Sequence, residues 1–348
     1  MDDLIEVRPD ERFDVDALTG WIDGVEDLPA GRPDVSQFGG GKANLSYLLH
    51  FPDGTELVLR RPPLGPVAEG SHDMSREYRV LSRLWQVFDK APRAVALCND
   101  PGVIGSPFFL MERRRGLVVR GAIPEVFGGG ADPVAVRKLS TVVIDTLVEL
   151  HSADPDRCGL GDLGHPEGYL LRQVEGWSRR WDRARHQDDP VADEVAAWLH
   201  REIPESPNPT LLHNDWRLDN MAVSPDDPGA CVAVYDWDMA TRGDPLSDLG
   251  TLMGSWFDPG DAPEPLGMMP TTVAGWMDRR AALDRYAEKS GRDLSSIDWY
   301  LVFGAWKMGV ILQQIYIRWL RGQTQDDRFE NLDEGARHLF RLAAARKP

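Results

Sequence analysis

Residues 211–220 read LLHNDWRLDN and gather several polar groups behind two leucines. His213, Asp215 and Asn220 lie directly before an apolar segment, NMAVS, which is followed by the turn residues PDDPGA and then by CVAVYDWD. Two apolar runs joined by such residues are typical of a β-hairpin. The polar groups before the first strand and Asp236 at the end of the second are therefore expected at the same edge of that hairpin.

The types and spacing of these polar residues suit phosphoryl transfer. An aspartate can accept or orient the proton of an attacking hydroxyl, while a later asparagine and aspartate hold Mg²⁺ against the nucleotide phosphates. Here the pattern is H-x-D-x-x-x-x-N, and Asp236 follows sixteen residues after Asn220. Because residue type, spacing and hairpin context agree, the pattern is specific.

The chain before this region is predicted to be mostly β. The segment LSYLLHFPDGTELVLRR has apolar runs on both sides of the turn PDG, which predicts a hairpin. DMSREYRVLSRLWQVF has apolar residues at helical spacing, with Asp73 as N-cap and Glu77 on the apolar face. AVALC and GSPFFLMERRRG are predicted as two further strands.

From about Val134 the periodicity becomes helical. Helices are predicted at VAVRKLSTVVIDTLVELHSADP, DEVAAWLHREI, TVAGWMDRRAALDRYAEKSG and WYLVFGAWKMGVILQQIYIRWLRG. The last is apolar nearly all round and is expected in the core. The predicted fold class is therefore α+β, with a small β-rich lobe and a larger, mostly helical lobe.

Composition and charge exclude several classes of protein. With 348 residues, 42% of them hydrophobic, the chain can bury a sizeable core. A formal charge of −17 disfavours nucleic acid as a partner, because binding to phosphate backbones relies on Lys and Arg. The N-terminus does not resemble a signal peptide, and no run of about 18 apolar residues predicts a membrane span. A cytoplasmic protein is expected, and acidity alone selects no substrate.

The glycine-rich segment GGGKAN, residues 39–44, precedes the first predicted hairpin. A P-loop would need glycine where Ser36 stands and Ser or Thr where Ala43 stands. The segment is therefore expected to be a corner that covers a nucleotide, with a plain tight turn as the alternative. Lys42 is conspicuous there, since only six of the 39 basic residues are lysines.

HNDWRLDN and VYDWDMATRGDPLSDLG resemble the catalytic and metal motifs of the aminoglycoside phosphotransferase family, small-molecule kinases related to choline kinase. The resemblance extends from about Val35 to Gly322. The chain is also similar to a subgroup that includes the kinase-like domain fused to some acyl-CoA dehydrogenases. The segments that carry this similarity are LRRPP, SREYRVL and RLDN. The resemblance implies a protein-kinase-like, two-lobed fold. Residues 1–30 would pack on the N-lobe, 31–113 would form a nucleotide-binding sheet with one helix, and 114–348 would carry the catalytic and substrate-binding groups.

The resemblance also implies roles for individual residues. Asp215 corresponds to the catalytic aspartate, His213 supports its loop, and Asn220 and Asp236 are Mg²⁺ ligands. The nucleotide is expected to be ATP, with GTP as an alternative, and its adenine to contact backbone at residues 111–113. The residues expected to bind it are Gly40, Gly41, Lys42, Arg60, Glu77, Met111, Glu112 and Arg113.

The chain departs from the family at the strand where relatives usually carry a phosphate-binding lysine. LVLRR offers Arg60 or Arg61 instead, and strand alternation favours Arg60, with Glu77 as its partner. Arginine is always charged and can bind phosphate bidentately, yet it is not interchangeable with lysine. A nucleotide-binding regulator with impaired catalysis therefore stays open beside the enzyme.

Two classes of acceptor make opposite electrostatic demands. A polycationic aminoglycoside needs carboxylates, which a chain of charge −17 can supply. A hydroxyacyl-CoA needs arginines for its phosphates and an apolar channel for its acyl portion. The residues that fit the second case are Arg113 to Arg115, Arg120, Arg179, Arg180, Arg183, Trp177, Trp181, Trp256, Trp299 and Trp306. The alternative is that they are solvated arginines and core tryptophans. The subgroup resemblance favours a hydroxylated metabolite over an aminoglycoside or macrolide.

Overall fold

The computed structural model describes residues 4–40, 44–64, 73–206, 208–258, 261, 269–324 and 326–348. The chain divides into two compact units. Unit 1 comprises Met1–Leu117, Pro155–Gly161 and Val232–Ala240, and unit 2 comprises Val118–Asp154, Asp162–Cys231 and Thr241–Pro348. The segment that contains Asp236 thus belongs to the same unit as the N-terminal sheet, although it lies far along the chain.

Strands dominate unit 1, and helices dominate unit 2. The strands are β1 (Leu4–Ile5), β2 (Asp34–Phe38), β3 (Leu45–His50), β4 (Glu56–Arg61), β5 (Ala94–Cys98), β6 (Phe108–Glu112), β7 (Leu117–Val118), β8 (Thr210–Leu212), β9 (Met221–Val223), β10 (Cys231–Val234) and β11 (Thr241–Gly243). The helices are α1 (Val15–Ile22), α2 (Met74–Leu84), α3 (Pro133–Ser152), α4 (Tyr169–Ala184), α5 (Pro190–Arg201), α6 (Pro245–Gly254), α7 (Arg279–Ser290), α8 (Ile297–Leu320) and α9 (Leu332–Ala345).

The sheet of unit 1 has the strand order β1-β2-β3-β4-β6-β5, with antiparallel neighbours. The predicted hairpin is β3–β4, in which Leu45 pairs with Arg61. Asp73 caps α2 as expected, because its carboxylate accepts a hydrogen bond of 3.0 Å from the Arg76 amide. Helix α1 was not predicted, and it buries Leu18 and Ile22 in the same apolar cluster as the residues of β3 and β4.

Helix α8 is buried along most of its length in unit 2, as its apolar sequence predicts. It approaches α6 very closely, since a Cβ on Gly304 would lie 1.9 Å from the carbonyl oxygen of Gly250. Only glycine permits backbones to meet at this distance. This contact brings Lys307, one turn further along α8, beside Thr251 of α6, with 3.4 Å between Nζ and Oγ1.

The α+β fold class and the predicted strands and helices are confirmed, with differences at helix limits. Helix α7 begins at Arg279 and not near Thr272, because Gly275 has a φ of +99° and Asp278 caps the helix by accepting from the Ala281 amide. Helices α4 and α9 had no counterpart in the predictions. None of the helices in the described ranges combines the length and apolarity that a membrane crossing needs.

Candidate active site

The loop that follows β8 fixes the carboxylate of Asp215 in unit 2. Oδ2 of Asp215 accepts hydrogen bonds from Nδ2 of Asn220 at 2.9 Å and from the guanidinium of Arg217 at 3.2 Å. The same amide nitrogen of Asn220 also donates to the Asp215 carbonyl at 2.8 Å. Asp215 is therefore oriented by the asparagine that the motif places five residues later.

Asp248 clamps the backbone of this loop from helix α6. Its two carboxylate oxygens accept from the amides of His213 at 2.7 Å and of Asn214 at 2.8 Å. Asn214 has a φ of +66°, a conformation that asparagine tolerates better than most residues. Burial opposes the ionised form of Asp248, but His151, 3.5 Å away, and the two amides lower the pKa of its carboxyl. A charged clamp thus holds a loop in a conformation of high local energy.

His213 supports the loop from within the core. The residue is fully buried, and its Nδ1 accepts a hydrogen bond of 3.3 Å from the Asp215 amide. Its ring packs edge-on against Trp216, with 5.6 Å between the centroids. Through these contacts His213 holds the backbone of the loop and helps to orient Asp215.

The oxygen of the Asn220 side chain is free for a metal ion. Within the described residues, the hydrogen bonds of this side chain are both donated by Nδ2, and Oδ1 accepts none. Amide and carboxylate oxygens are the ligands that Mg²⁺ prefers in proteins. Asp236 of unit 1 is also accessible in part, and one of its carboxylate oxygens, Oδ1, is used by Arg60. The chemistry of both side chains fits Mg²⁺.

Arg60 bridges two carboxylates in unit 1. Its Nε lies 2.8 Å from Oε2 of Glu77, and its NH2 pairs with Oδ1 of Asp236. Oε1 of Glu77 accepts from the Trp237 amide at 3.3 Å, which holds the turn next to Asp236. Asp236 itself has a φ of +66°. Arg60, Glu77 and Asp236 are thus brought together, as strand alternation and helix spacing predict for the first two.

Arg61 points to the opposite face of β4 and has a structural environment. Its guanidinium stacks on the rings of Phe13 and Tyr47, each 5.1 Å away. It donates to the Tyr47 hydroxyl and to the carbonyl oxygens of Glu11 and Ile104. With every one of these contacts inside unit 1, Arg61 is not available to a phosphate.

The predicted adenine-binding segment lies at the end of β6. Met111 is buried and pairs with Val58 of β4. The side chain of Glu112 accepts from Arg114, and the Arg113 guanidinium pairs with Glu56 at 2.6 Å. These side chains are occupied within the protein, so a base would meet the backbone there. Gly40 lies exposed in the turn after β2, whereas Gly41 and Lys42 are outside the described residues.

Most of the tryptophans proposed for an acceptor channel are core residues. The indole N–H groups of four of them donate to protein acceptors at 2.7–3.1 Å and their rings are buried. These four are Trp181, Trp256, Trp299 and Trp306. Trp177 differs, because within the described residues its buried Nε1 has no acceptor. The expectation of a tryptophan-lined channel is therefore wrong for those four.

Lys307 of α8 was missed by the sequence reasoning. Its Nζ lies 3.4 Å from the carbonyl oxygen of Asn214, the residue before Asp215. Burial lowers the pKa of its ammonium to about 8, although Asp215 and Asp248 act to raise it. The available signal was a single charge inside the apolar run GAWKMGVIL.

Comparisons with known proteins agree with this geometry. The model of the phosphotransferase enzyme family matches residues 34–293. Acyl-CoA dehydrogenase family member 11 of Gallus gallus is 32% identical over 331 residues, which cover 92% of this chain and 41% of the relative. The chain therefore spans about two-fifths of the length of this curated relative.

Solved structures show the same fold. A candidate aminoglycoside phosphotransferase of Ralstonia eutropha is 29% identical with a TM-score of 0.81, covering 96% of this chain and 98% of its own. APH(2″)-IIIa, solved in complex with GDP and kanamycin, has a TM-score of 0.60 at 14% identity, covering 95% and 99%. At that identity the likeness concerns the fold alone. The predicted protein-kinase-like fold and the small-molecule kinase class are confirmed.

Proposed function

The chain belongs to the phosphotransferase enzyme family, and on that premise we propose that it transfers the γ-phosphoryl group of Mg²⁺-bound ATP to a hydroxyl of a small metabolite. The observation that carries the proposal is the fixed carboxylate of Asp215. It is held by Asn220 and Arg217 in a loop whose backbone is clamped by the ionised Asp248. Such pre-orientation is the main contribution that a protein makes to phosphoryl transfer.

In the proposed reaction, Asp215 accepts the proton of the acceptor hydroxyl, with His213 as positioning residue. The hydroxyl oxygen forms a bond to the γ-phosphorus while the bond from that phosphorus to the ADP oxygen breaks. Asn220 and Asp236 are the proposed ligands of Mg²⁺, which when bound would neutralise charge on the phosphates. Each offers an oxygen of the right type, as described above.

The nucleotide is proposed to bind through unit 1. Arg60, oriented by Glu77, would contact phosphate oxygens, and the corner around Gly40, Gly41 and Lys42 would cover them. The backbone of Met111, Glu112 and Arg113 would contact the base. ATP is favoured from the family resemblance, while GTP remains the alternative because APH(2″)-IIIa was solved with GDP.

The favoured acceptor is a hydroxylated metabolite such as a hydroxyacyl-CoA. The support is that the curated relatives are acyl-CoA dehydrogenase family members, of which this chain matches less than half. An aminoglycoside or macrolide is the alternative acceptor. A second class of function, a regulator that binds nucleotide without turnover, is supported by the pairing of Arg60 with Asp236, which engages a proposed metal ligand.

Calorimetry with ATP and GTP, each with and without Mg²⁺, tests the nucleotide site. Phosphate transfer to 4-hydroxyacyl-CoAs, kanamycin and a macrolide, followed by ³¹P NMR, then tests the reaction. Mg²⁺-dependent binding and a new phosphate ester on a hydroxyacyl-CoA are expected. Binding without transfer to any acceptor would favour the regulator, and transfer to kanamycin alone would overturn the favoured acceptor.

A further inference from the structure

Lys307 is a buried cation of unit 2 that lacks a strong anionic partner. Its side chain is 5% exposed, and its ammonium makes two long hydrogen bonds of 3.4 Å, to the Asn214 carbonyl and to the Thr251 hydroxyl. It forms no ion pair with any carboxylate in the described part of the chain. An ammonium has three donors, and leaving it buried without an anion is costly. The folded protein nevertheless keeps this ammonium buried.

Trp177 of α4 adds a second unsatisfied donor at the same place. Its residue exposure is 6%, and its Nε1 has no acceptor within the described ranges, unlike the indoles of the four core tryptophans. Buried indole N–H groups are normally hydrogen-bonded. The ring is flanked by two cations, because the Arg180 guanidinium carbon lies 4.4 Å and Lys307 Nζ 5.3 Å from its centroid.

This group of donors adjoins the loop that carries Asp215. Lys307 contacts the carbonyl of the preceding residue, Asn214, and the charge of Asp215 acts on its ammonium. Arg180 forms no ion pair within the described residues, and burial together with Arg179 and Arg183 lowers the pKa of its guanidinium. In a chain of net charge −17, three donors here have been left without a carboxylate.

We propose that Lys307, Arg180 and the indole N–H of Trp177 form a subsite for an oxyanion of the acceptor, either a carboxylate or a phosphate. The inference rests on the proposed function and specifies its substrate class. A bound oxyanion would satisfy the buried ammonium and the indole at once, as charge-assisted hydrogen bonds to carboxylate and phosphate do. A polycationic acceptor or a quaternary ammonium would be repelled by the same two cations.

The rival explanation is that Lys307 only props the Asn214 carbonyl and that Trp177 is a packing residue. In that case added oxyanions would leave Lys307 unaffected. Lysine ¹³Cε NMR separates the two, because the chain has only six lysines and the Lys307 signal is assigned by its loss in Lys307→Met. Inorganic phosphate and glycolate are the probes, added to the nucleotide-free, metal-free full chain.

A saturable shift of the Lys307 signal at tens of millimolar probe is expected with at least one probe, and the responding probe identifies phosphate or carboxylate as the source. The affinity should fall several-fold in Trp177→Phe, which keeps the ring and loses the donor. It should be unchanged in Arg280→Met, whose side chain is exposed and pairs with Asp284 at 2.9 Å. Absence of any shift with both probes would overturn the subsite.

The pH dependence gives a second readout on the same sample. The charges that act on Lys307 are Asp215 and Asp248, which favour its protonated form, and Arg180 and Arg217, which oppose it. Oxyanion affinity in wild type should weaken as pH rises above about 8, where the ammonium loses its proton. An affinity that is constant through this range would contradict the role of Lys307. Calorimetric binding of Mg²⁺-ATP to Lys307→Met should match wild type, so that a failed nucleotide site is recognised separately.

Discussion

The guanidinium Nε of Arg60 lies 2.8 Å from Oε2 of Glu77, and the two side chains are 9% and 1% exposed as residues. Burial raises the pKa of the Glu77 carboxyl to about 7, against the lowering influence of Arg60. The neighbouring carboxylates Asp236 and Asp238 raise it further. The ion pair therefore orients Arg60 at a cost in folding free energy. Its role is to hold the guanidinium in place and not to stabilise the fold.

Replacement of Glu77 by Gln should lower phosphate transfer about tenfold while leaving the protein folded. The amide keeps the size of the side chain but loses the charge that orients Arg60. Because Arg60 keeps its ion pair with Asp236 and the ionised Glu77 carboxyl is itself costly to bury, the melting temperature should change little. Steady-state kinetics and differential scanning calorimetry measure both quantities. Glu6→Gln, which breaks an exposed pair with Arg12, is the control. Unchanged kcat/KM in the Glu77 variant would contradict the role of Arg60.

Arg61→Met should lower stability and leave activity nearly unchanged, which is the opposite of the result expected for Glu77→Gln. Arg61 is 1% exposed and donates to several acceptors, so its loss leaves the Ile104 carbonyl without this donor, while the Glu11 carbonyl keeps only the hydrogen bond from the Tyr47 hydroxyl. Unfolding free energy should fall by about 2–4 kcal/mol. Transfer activity measured well below the melting temperature should be close to wild type. A folded Arg61 variant without nucleotide binding would mean that the wrong arginine of β4 has been assigned to the phosphates.

Asp215→Asn should abolish transfer with nucleotide affinity nearly unchanged, because the proposed base acts on the acceptor hydroxyl. Asp236→Asn should instead weaken the Mg²⁺-dependent part of nucleotide binding together with turnover. Calorimetric titrations with and without Mg²⁺ and a turnover assay separate the two variants. Wild-type turnover in Asp215→Asn would show that the catalytic base is another residue.

Asp248→Asn should release the loop that carries Asp215. The side-chain amide can accept from only one of the two backbone amides of His213 and Asn214, and its NH2 group would face the other, whereas both now donate to the carboxylate. Because Asp248 is buried and ionised, stability should fall by about 3–5 kcal/mol. Activity should drop even where the variant is folded. Hydrogen exchange would then show that the backbone amides of residues 213–215 have lost protection. Retained protection would mean that the loop is held without this carboxylate.

Lys307→Met should raise the melting temperature at neutral pH. The lowering of the Lys307 pKa from 10.5 to about 8 makes its buried charge cost about 3 kcal/mol below the lower value. Between these two pKa values the unfolded chain binds more protons, so wild-type stability gains a component that rises with pH across that window. The variant should lack that component. Denaturant titrations at pH values on both sides of the window measure it, and an unchanged slope would argue against a depressed pKa.

The sequence alone determined many of the strands and helices, although not α1, α4 or α9, and it placed Asp215 and Asn220 in one short loop. Apolar periodicity predicted the β3–β4 hairpin, α2 and the buried α8, because each depends on residues that are neighbours in the chain. The hydrogen bond of 2.9 Å from Asn220 to Asp215 was not predicted, although the five-residue spacing allows a short loop to make it. Strand alternation separated Arg60 from Arg61, since consecutive side chains face opposite sides of a sheet.

Only the tertiary structure decided which distant groups meet. Asp248 clamps His213 across 35 residues, and Lys307 reaches Asn214 across 93. Pattern cannot predict such pairs, because many buried positions are equivalent in the sequence and packing selects among them. In the sequence nothing distinguishes Trp177 from Trp181, Trp256, Trp299 and Trp306, whereas in the described part of the structure its indole N–H has no acceptor and theirs have one. Lys307 lies beside Thr251 and the loop because the glycines of α6 and α8 allow these two helices to approach closely.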